Sequence, residues 1–482
     1  MKKALAFILC ILLISGAATL RFGSSVKKTA DKVEFTEEVL LGDPKEAEGL
    51  HVSFVREKGN PYAPSDFGRY SWTTEACFTG GSFEAETLHR YSYGNKTAGV
   101  PESVQVRDMP ILSGSVRFRN DTVEALRKKY SEEMDRGASV TEIVPASAFY
   151  DCYPLQISIL QKATNGIFQV YNSAALGDRL YEYFNFDIER DWDLSVTIGP
   201  KDVRATFLGG DWDPLLRGSG SLSYGGSLYF YFDLYSSGSV RKDYSKVPGG
   251  YGIYKVDFSY EGGVFSADPG SLTTFRSFGD DETIEFLKGS ANGKYVYAFI
   301  KTAGEYEVCT LDAATGEEIQ RLKICERSGG MESFVWQDGS SLIFGAARRN
   351  SEQLESRLYV LEEDEKGLLS PVLDADLSLL GDTNTAEDLI YYADWKNYSP
   401  NGTVPKPPVE TALYEDGKLY IAVPDLRGQG GDYEIGRCGI AVAVFGKEGL
   451  LFLGNYKSSL GGNTGIIPID RNRSPQKIWI EK

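Results

Sequence analysis

The sequence predicts an all-β protein: a single β-propeller of six to eight four-stranded blades, with seven favoured, behind an N-terminal signal or anchor segment. From about Leu50 onward, short runs of Val, Ile, Tyr and Phe alternate with Gly, Asp, Asn and Ser, a composition typical of strands and tight turns. A strand–turn–strand unit also recurs with a period close to that of one blade. Because 42% of the 482 residues are hydrophobic, the chain can bury a large core.

The repeat is visible in four copies, each with one apolar strand, a second strand that ends near an acidic residue, and a hairpin turn. The corresponding positions Asp257, Asp312 and Glu362 are 55 and 50 residues apart, which matches four strands per blade. The consecutive aromatic residues 229–232 predict a strand buried on both faces, as between stacked blades. The strand pairs of the four copies are 223–232 with 252–257, 291–299 with 306–312, 338–344 with 357–362, and 416–423 with 439–444.

The blade count rests on the spacing around these copies. Residues 376–408 separate the third copy from the fourth and end in three prolines, so we interpret them as a long loop. Residues 50–218 leave room for about three further units at this period. The alternating segment Lys477–Glu481 is expected to pair with the strands at 50–78 and close the ring. Upstream strand candidates are residues 50–55, 70–78, 155–160, 167–171 and 180–186.

One helical insertion is expected near residues 121–137. Asn120 or Asp121 can cap its N-terminus, and Gly137 supplies its end. The apolar stripe is narrow and many charges surround it, so the pattern predicts a surface helix between strands. Its apolar positions, at helical spacing, are Val123, Leu126, Tyr130 and Met134.

Three segments are expected along the chain: a signal peptide or membrane anchor at 1–20, a charged spacer at 21–49, and the propeller at 50–482. Two lysines precede the apolar run 4–20 and small residues end it, as in a secretory signal. Cleavage after Ala18 and retention as an anchor are both open. Cys10 follows large apolar residues, which argues against lipidation. The protein is therefore expected to be secreted, or anchored on the outer side of the cytoplasmic membrane with membrane contact only through residues 4–20. The spacer contains one candidate edge strand, at 33–41.

The charge balance narrows the class of partner. The sequence has 51 basic and 68 acidic residues, a formal net charge of −17. It contains no basic stripe suited to binding a phosphate backbone. Nucleic acid is therefore not expected as a partner, whereas a protein or a cell-envelope polymer is. The acidity is explained by solubility or by calcium binding.

One hairpin carries a resemblance to a known family. The segment Leu311-Asp-Ala-Ala-Thr-Gly-Glu317 is similar to the turn between outer strands of quinoprotein-like propeller repeats, in which an Asp and a Thr-Gly pair shape the hairpin. The resemblance covers one blade and implies a propeller fold. The Trp that usually follows this turn is replaced by Ile319 and Gln320, so bound quinone is not implied.

The densest acidic cluster is the candidate metal site. Alternate carboxylates in an extended segment point to one side, and calcium prefers six to eight oxygen ligands. An EF-hand loop would require Gly where Trp192 stands, so a solvated acidic hairpin is the alternative interpretation. The proposed calcium ligands are Asp187, Glu189, Asp191 and Asp193, with Asp211 and Asp213 downstream.

Other side chains with chemical potential are few. His51 and His89 have no acid or nucleophile at a recognisable spacing, which disfavours histidine catalysis. The segment 266–270 resembles the start of an Asp-box, but Asp268-Pro-Gly is already a good turn. Trp192, Trp212 and Trp395 could stack on a ligand, although most aromatic residues should fill the space between blades. The remaining cysteines form no CxxC pair, and only Cys309 and Cys325 lie in neighbouring strand candidates that could form a disulfide.

These patterns favour a non-enzymatic binding or scaffolding module, because no complete catalytic constellation can be assembled. The alternative is a carbohydrate-active hydrolase or lyase that uses two carboxylates from loops distant in sequence. A pocket with converging carboxylates, arginines and aromatics would favour the enzyme, and a flat surface would favour partner binding.

Overall fold

Short antiparallel sheets make up most of the structure, a computed structural model of the chain. The residues described are 21, 35–58, 69–92, 101–108, 120–153, 155–162, 168–170, 174–188, 193–200, 203–208, 215–235, 240–261, 264–327, 331–349, 354–377, 412–425, 439–458 and 475–480. Among them, the strands form seven antiparallel sheets of three to five strands. The predicted all-β class is confirmed.

The chain divides into two compact units, and the first comprises residues 1–94, 329–362 and 371–482. Its first sheet has the order β1 (Phe35–Gly42), β27 (Gly449–Ser458), β26 (Gly439–Gly446), β25 (Lys418–Asp425), β24 (Ala412–Glu415). The second has the order β28 (Pro475–Ile480), β2 (Leu50–Lys58), β3 (Arg69–Thr79), β4 (Ser82–Ser92). The third has the order β20 (Glu332–Asp338), β21 (Ser341–Arg349), β22 (Leu354–Glu363), β23 (Leu369–Asp376).

The second unit comprises residues 95–328 and 363–370. One sheet has the order β5 (Pro101–Asp108), β7 (Leu155–Lys162), β8 (Phe168–Val170), and another β10 (Val203–Phe207), β9 (Asp193–Ile198), β6 (Val140–Pro145). A third has the order β11 (Leu215–Tyr224), β12 (Ser227–Tyr235), β13 (Gly252–Glu261), β14 (Val264–Ala267), with β15 (Thr273–Ser277) also paired to β13. The fourth has the order β16 (Thr283–Gly289), β17 (Tyr295–Lys301), β18 (Glu305–Asp312), β19 (Glu318–Glu326).

Each of the four sequence repeats corresponds to the two middle strands of one sheet. The pairs are β12 with β13, β17 with β18, β21 with β22, and β25 with β26, each antiparallel. The aromatic run 229–232 lies in β12, where all but the last residue are buried. A middle strand covered on both faces accounts for the continuous apolar run in place of alternation.

Both ends of the described chain add strands to sheets built by other parts of it. β28 pairs with β2 as expected, and Ile478 faces Val52 across the pair. β1, within the candidate edge strand of the spacer, extends the first sheet by pairing with β27. The long loop expected at 376–408 falls almost entirely outside the described residues.

Three α-helices are described: α1 (Asn120–Lys129), α2 (Ser131–Asp135) and α3 (Ala174–Tyr183). The first two occupy the expected insertion, with a break at Tyr130. Three 3-10 helices lie at Pro44–Ala47, Ala146–Ala148 and Pro269–Ser271. None of the helices in the described ranges has both the length and the apolar character needed to cross a membrane. The predicted signal or anchor at 1–20 lies outside these ranges.

Helix α3 corrects a strand expectation. Residues 180–186 were expected to form a strand, but the helix continues to Tyr183. Leu176, Leu180 and Tyr183 are buried against the sheet of β12. Their spacing of four and three residues is helical. Phe184 and Phe186, which follow, obscured it because a segment rich in aromatic residues favours a strand.

A disulfide between Cys309 and Cys325 is not formed: both side chains are buried, and neither sulfur is bonded to another cysteine. The register of β18 with β19 places Cys309 opposite Arg321 and Cys325 opposite Tyr306. The two cysteines are therefore displaced by about 10 Å along the strands, beyond the reach of a disulfide.

Candidate functional site

The candidate site is the uncovered face of the sheet formed by β6, β9 and β10. Helix α1 lies on the other face, where Val123 and Leu126 share a core with Val144, Leu194 and other inward residues of the sheet. Thr122 Oγ1 donates a hydrogen bond of 2.6 Å to the Ala148 carbonyl and fastens the start of the helix. Side chains alternate along each strand, so the remaining residues point away from the helices.

The register of the three strands arranges these outward residues in rows. Nine positions form what we call the open face. The rows, read from β6 through β9 to β10, are Thr141, Thr197 and Arg204; Ile143, Ser195 and Thr206; and Pro145, Asp193 and Leu208.

Hydroxyl groups and two exposed apolar side chains dominate the open face. Ile143 is 62% exposed and Leu208 is 45% exposed, although β-branched and aliphatic residues of a strand are usually buried. The hydroxyls of Thr141 and Thr197 lie 3.0 Å apart and share a hydrogen bond. This combination offers apolar contact and hydrogen bonding on a rigid support.

Glu142, on the helix side of β6, ties the sheet to the helices. It accepts hydrogen bonds of 2.8 Å from Lys129 Nζ and from the Tyr130 hydroxyl. The hydrogen bond from Lys129 is the main reason that the pKa of Glu142 lies below its ordinary value. The carboxylate is therefore ionised at neutral pH, and it holds the edge strand β6 against α1.

The residues of the predicted calcium site are only partly described. Asp187 forms an ion pair with Lys246, and both side chains are largely exposed. Asp193 begins β9 and lies on the open face. Glu189, Asp191, Asp211 and Asp213 are outside the described residues. Within those ranges, no group of three or more potential ligand side chains is close enough to hold a metal ion.

Two turns singled out in the sequence have structural roles. Asp312 Oδ1 accepts hydrogen bonds of 2.9 Å from the amides of Ala314 and Thr315, and the amide of Thr315 is the largest cause of the lowered pKa of Asp312. Asp268 Oδ1 accepts from the Gly270 amide at 2.9 Å and caps a 3-10 helix. Both carboxylates shape the backbone by the mechanism typical of Asx turns.

The histidines and tryptophans of the sequence analysis are mostly structural or undescribed. His51 stacks on Trp479, with ring centroids 5.1 Å apart, which joins β2 to the terminal strand. His89 lies in β4 opposite Trp72. The expected stacking residues Trp192, Trp212 and Trp395 are outside the described residues.

The second unit also contains two arginine clusters. Arg241 forms a bidentate pair with Asp233, which is 1% exposed. Arg321 donates hydrogen bonds of 2.7, 2.9 and 3.1 Å to Glu282, Glu307 and Glu318. The hydrogen bond from Arg321 is the main cause of the lowered pKa of Glu318. Arg321 therefore favours the ionised form of Glu318, so this carboxylate is poorly suited to donate a proton.

Sequence reasoning did not identify the open face. A partial signal was present in one segment, where Ser195 and Thr197 alternate with the apolar residues Leu194, Val196 and Ile198. The sequence did not reveal that β6 pairs with β9, because about 50 residues, which belong largely to other elements, separate the two strands.

Comparisons with known proteins assign no family. No protein family and no curated sequence matches the chain. Among solved structures, it is similar to a putative 6-phosphogluconolactonase from Bacteroides uniformis at 11% identity, covering 89% of this chain and 99% of that chain with a TM-score of 0.28. An oligogalacturonate lyase in complex with manganese is 11% identical, with 83% and 75% coverage and a TM-score of 0.26. A thermostable family-43 glycoside hydrolase is 10% identical, with 59% and 87% coverage and a TM-score of 0.21. Identities and TM-scores this low assign no activity to the chain.

Proposed function

We propose that the chain is an extracytoplasmic propeller-type binding protein that engages a protein partner through the open face. The observation that carries this proposal is the 62% exposure of Ile143 at the centre of a strand, surrounded by hydroxyl side chains. An exposed sheet face of this composition suits another protein surface. None of its nine positions is aromatic, so it lacks the ring platform that stacks on sugars.

The size of the open face predicts a modest affinity. Three strands of about six residues span roughly 20 Å by 10 Å, which is far below the roughly 800 Å² per partner of a stable interface. The open face would therefore be the centre of a larger contact or the whole of a transient one. We expect a dissociation constant in the micromolar range, on the order of 10⁻⁶ M.

The competing proposal is a carboxylate-dependent carbohydrate-active enzyme. The similar structures bear the names of a lactonase, a lyase and a glycoside hydrolase, all of them enzymes. Such a hydrolase needs one carboxyl group whose pKa is raised, so that it stays protonated. Among the described carboxyl groups, those whose pKa departs from its ordinary value all have it lowered: Glu142, Asp243, Asp312 and Glu318.

Site-specific photo-cross-linking in intact cells tests the binding proposal. A photoreactive side chain at Ile143 and one at Thr206, which lie in the same row, should give the same protein adduct. Ile319, 45% exposed on another sheet, is the matched control and should give none. Once the cross-linked protein is identified, Ile143→Arg should weaken the binding of that protein at least about tenfold, because a charge is placed at the apolar centre of the contact. Ile319→Arg should leave binding unchanged.

Two results would contradict the binding proposal. One is the absence of a common adduct at the two open-face positions. The other is turnover of a glycan or envelope polymer by the purified chain, abolished by replacing a single carboxylate, which would establish the enzyme instead.

Location and calcium binding complete the proposal. Localisation outside the cytoplasmic membrane is motivated by the apolar run 4–20, and protease digestion of intact cells would refute it if the chain stayed protected while an exported control was cut. Calcium binding by Asp187, Glu189, Asp191 and Asp193 stays a prediction, and the ion pair of Asp187 with Lys246 is a contact that a bound cation would have to replace.

A further inference from the structure

Strand β1 carries a second unusual surface, independent of the open face. Val39, Leu40 and Leu41 are 46%, 38% and 45% exposed, and they are consecutive. We call them the apolar edge. Together they form a contiguous exposed apolar surface on the edge strand of the first sheet. Single exposed apolar residues are ordinary, but a contiguous group marks an interaction site.

The backbone of β1 is poorly suited to receive another strand. A register shift between Val39 and Leu41 leaves Leu40 as a bulge in the pairing with β27. Bulges and charged residues are the devices by which edge strands avoid pairing with other chains. The acidic Glu37 and Glu38 precede the apolar edge, so a second copy aligned here would bring like charges together.

The position of β1 in the chain indicates another occupant. It is the first described strand after the apolar run 4–20, and the intervening residues 21–34 span at most about 50 Å when fully extended. We propose that residues 4–20 are retained as a membrane anchor and that the apolar edge contacts the lipid surface of that membrane. This adds a membrane contact within the folded domain to the one expected through the N-terminal segment.

The physical basis is the burial of apolar area at the interface. Side chains that are nearly half exposed can lose further water contact when they lie among lipid headgroups and upper acyl chains. Glu37 also accepts a hydrogen bond of 3.2 Å from the Tyr456 hydroxyl, which holds its carboxylate toward the sheet and leaves the following residues to face the lipid.

Fluorescence quenching by brominated lipid tests the contact in the full chain. The chain is reconstituted into phosphatidylcholine vesicles brominated near the headgroup end of the acyl chain. One variant carries Leu40→Trp, and the matched control carries Ile319→Trp, since Ile319 is also an exposed apolar residue of a strand. After subtraction of the unsubstituted chain, emission from position 40 should fall at least about twofold, and emission from position 319 should not change.

Equal quenching at the two positions, or none at either, would overturn the proposal. A disulfide-linked dimer of Leu40→Cys in vesicles would also overturn it, because the occupant would then be a second copy of the chain. Each variant is compared with the unsubstituted chain by circular dichroism and thermal unfolding. If Leu40→Trp does not fold, Val39→Trp takes its place, and the same fall in emission is expected.

Discussion

At the scale of single residues, tyrosine hydroxyls are a recurring means of joining neighbouring sheets within the second unit. The Tyr224 hydroxyl donates to the Ser290 carbonyl at 2.7 Å, and that of Tyr229 donates to the Ala313 carbonyl at 2.8 Å. Tyr231 donates in the same way to Glu285. Each ring fills apolar space while its hydroxyl satisfies a backbone group. These three tyrosines therefore have a role that phenylalanine could fill only in part.

Buried tyrosines predict a loss of stability at alkaline pH. Burial raises the pKa of Tyr150 and of Tyr229 to about 12, above the unfolded value of about 10. The unfolded state therefore releases its protons first, and stability should be complete below pH 10 and fall as the pH rises toward 12. Each group contributes on the order of 2 kcal/mol. Urea unfolding measures the free energy of unfolding at each pH. Its fall above pH 10 should be shallower in the double variant Tyr150→Phe/Tyr229→Phe than in the wild type.

At the scale of elements, the turn at residues 311–317 shows how a local sequence specifies a local fold. Asp312 accepts from two amides of the turn, and Gly316 has a φ of +75°, which side chains other than glycine rarely adopt. The turn also has a tertiary role, because a Cβ at Gly316 would lie 2.1 Å from the Phe275 carbonyl oxygen of a neighbouring sheet.

Substitution of Gly293 and of Gly316 separates the backbone strain of the turn from its contact with the neighbouring sheet. Gly293 has a φ of +81° with no atom within 4 Å of an added Cβ, so Gly293→Ala should cost only about 1–2 kcal/mol of backbone strain. Gly316→Ala adds a clash with backbone and should cost at least about 2 kcal/mol more. Denaturant unfolding of the two variants measures the difference. Equal losses would mean that the sheets are free to separate at this point.

At the scale of the whole molecule, distant parts of the chain combine in single sheets. β28, at the C-terminus, covers the edge of β2, and Ile478 packs in the core that includes Leu50 and Val52. Phe78 and Tyr456, from different sheets of the first unit, meet in the same core with ring centroids 5.3 Å apart. Removal of the terminal strand would expose both an unpaired edge and apolar surface.

Shortening Ile478 should therefore destabilise the first unit. Ile478 is 4% exposed, and Ile478→Ala should cost about 2–5 kcal/mol. Ile319→Ala, at an exposed position, should change stability by no more than about 0.5 kcal/mol. Deletion of residues 475–482 should cause aggregation at concentrations where the intact chain is monodisperse. A monodisperse and equally stable deletion variant would show that β28 is dispensable.

The sequence by itself determined the two strands of each of the four repeats, their order and several of the turns beside them. These features depend on contacts between neighbours in the chain: the apolar run 229–232 for β12, the Asp312 turn, and the Gly137 end of the helical insertion. The terminal pairing of Lys477–Glu481 was also predictable, because an alternating segment at the end of an all-β chain requires a partner edge.

Only the tertiary structure decided which separate segments meet. Residues 180–186 are rich in aromatic residues and therefore compatible with a strand. The helix ending at Tyr183 forms instead because its buried face packs against the sheet of β12. Ile143 and Leu208 came to lie on the same exposed face through the pairing of β6, β9 and β10. Ile143 is exposed and Ile478 is buried, although both are isoleucines in β-strands. Whether a strand residue is exposed or buried depends on long-range packing, and local propensity does not encode it.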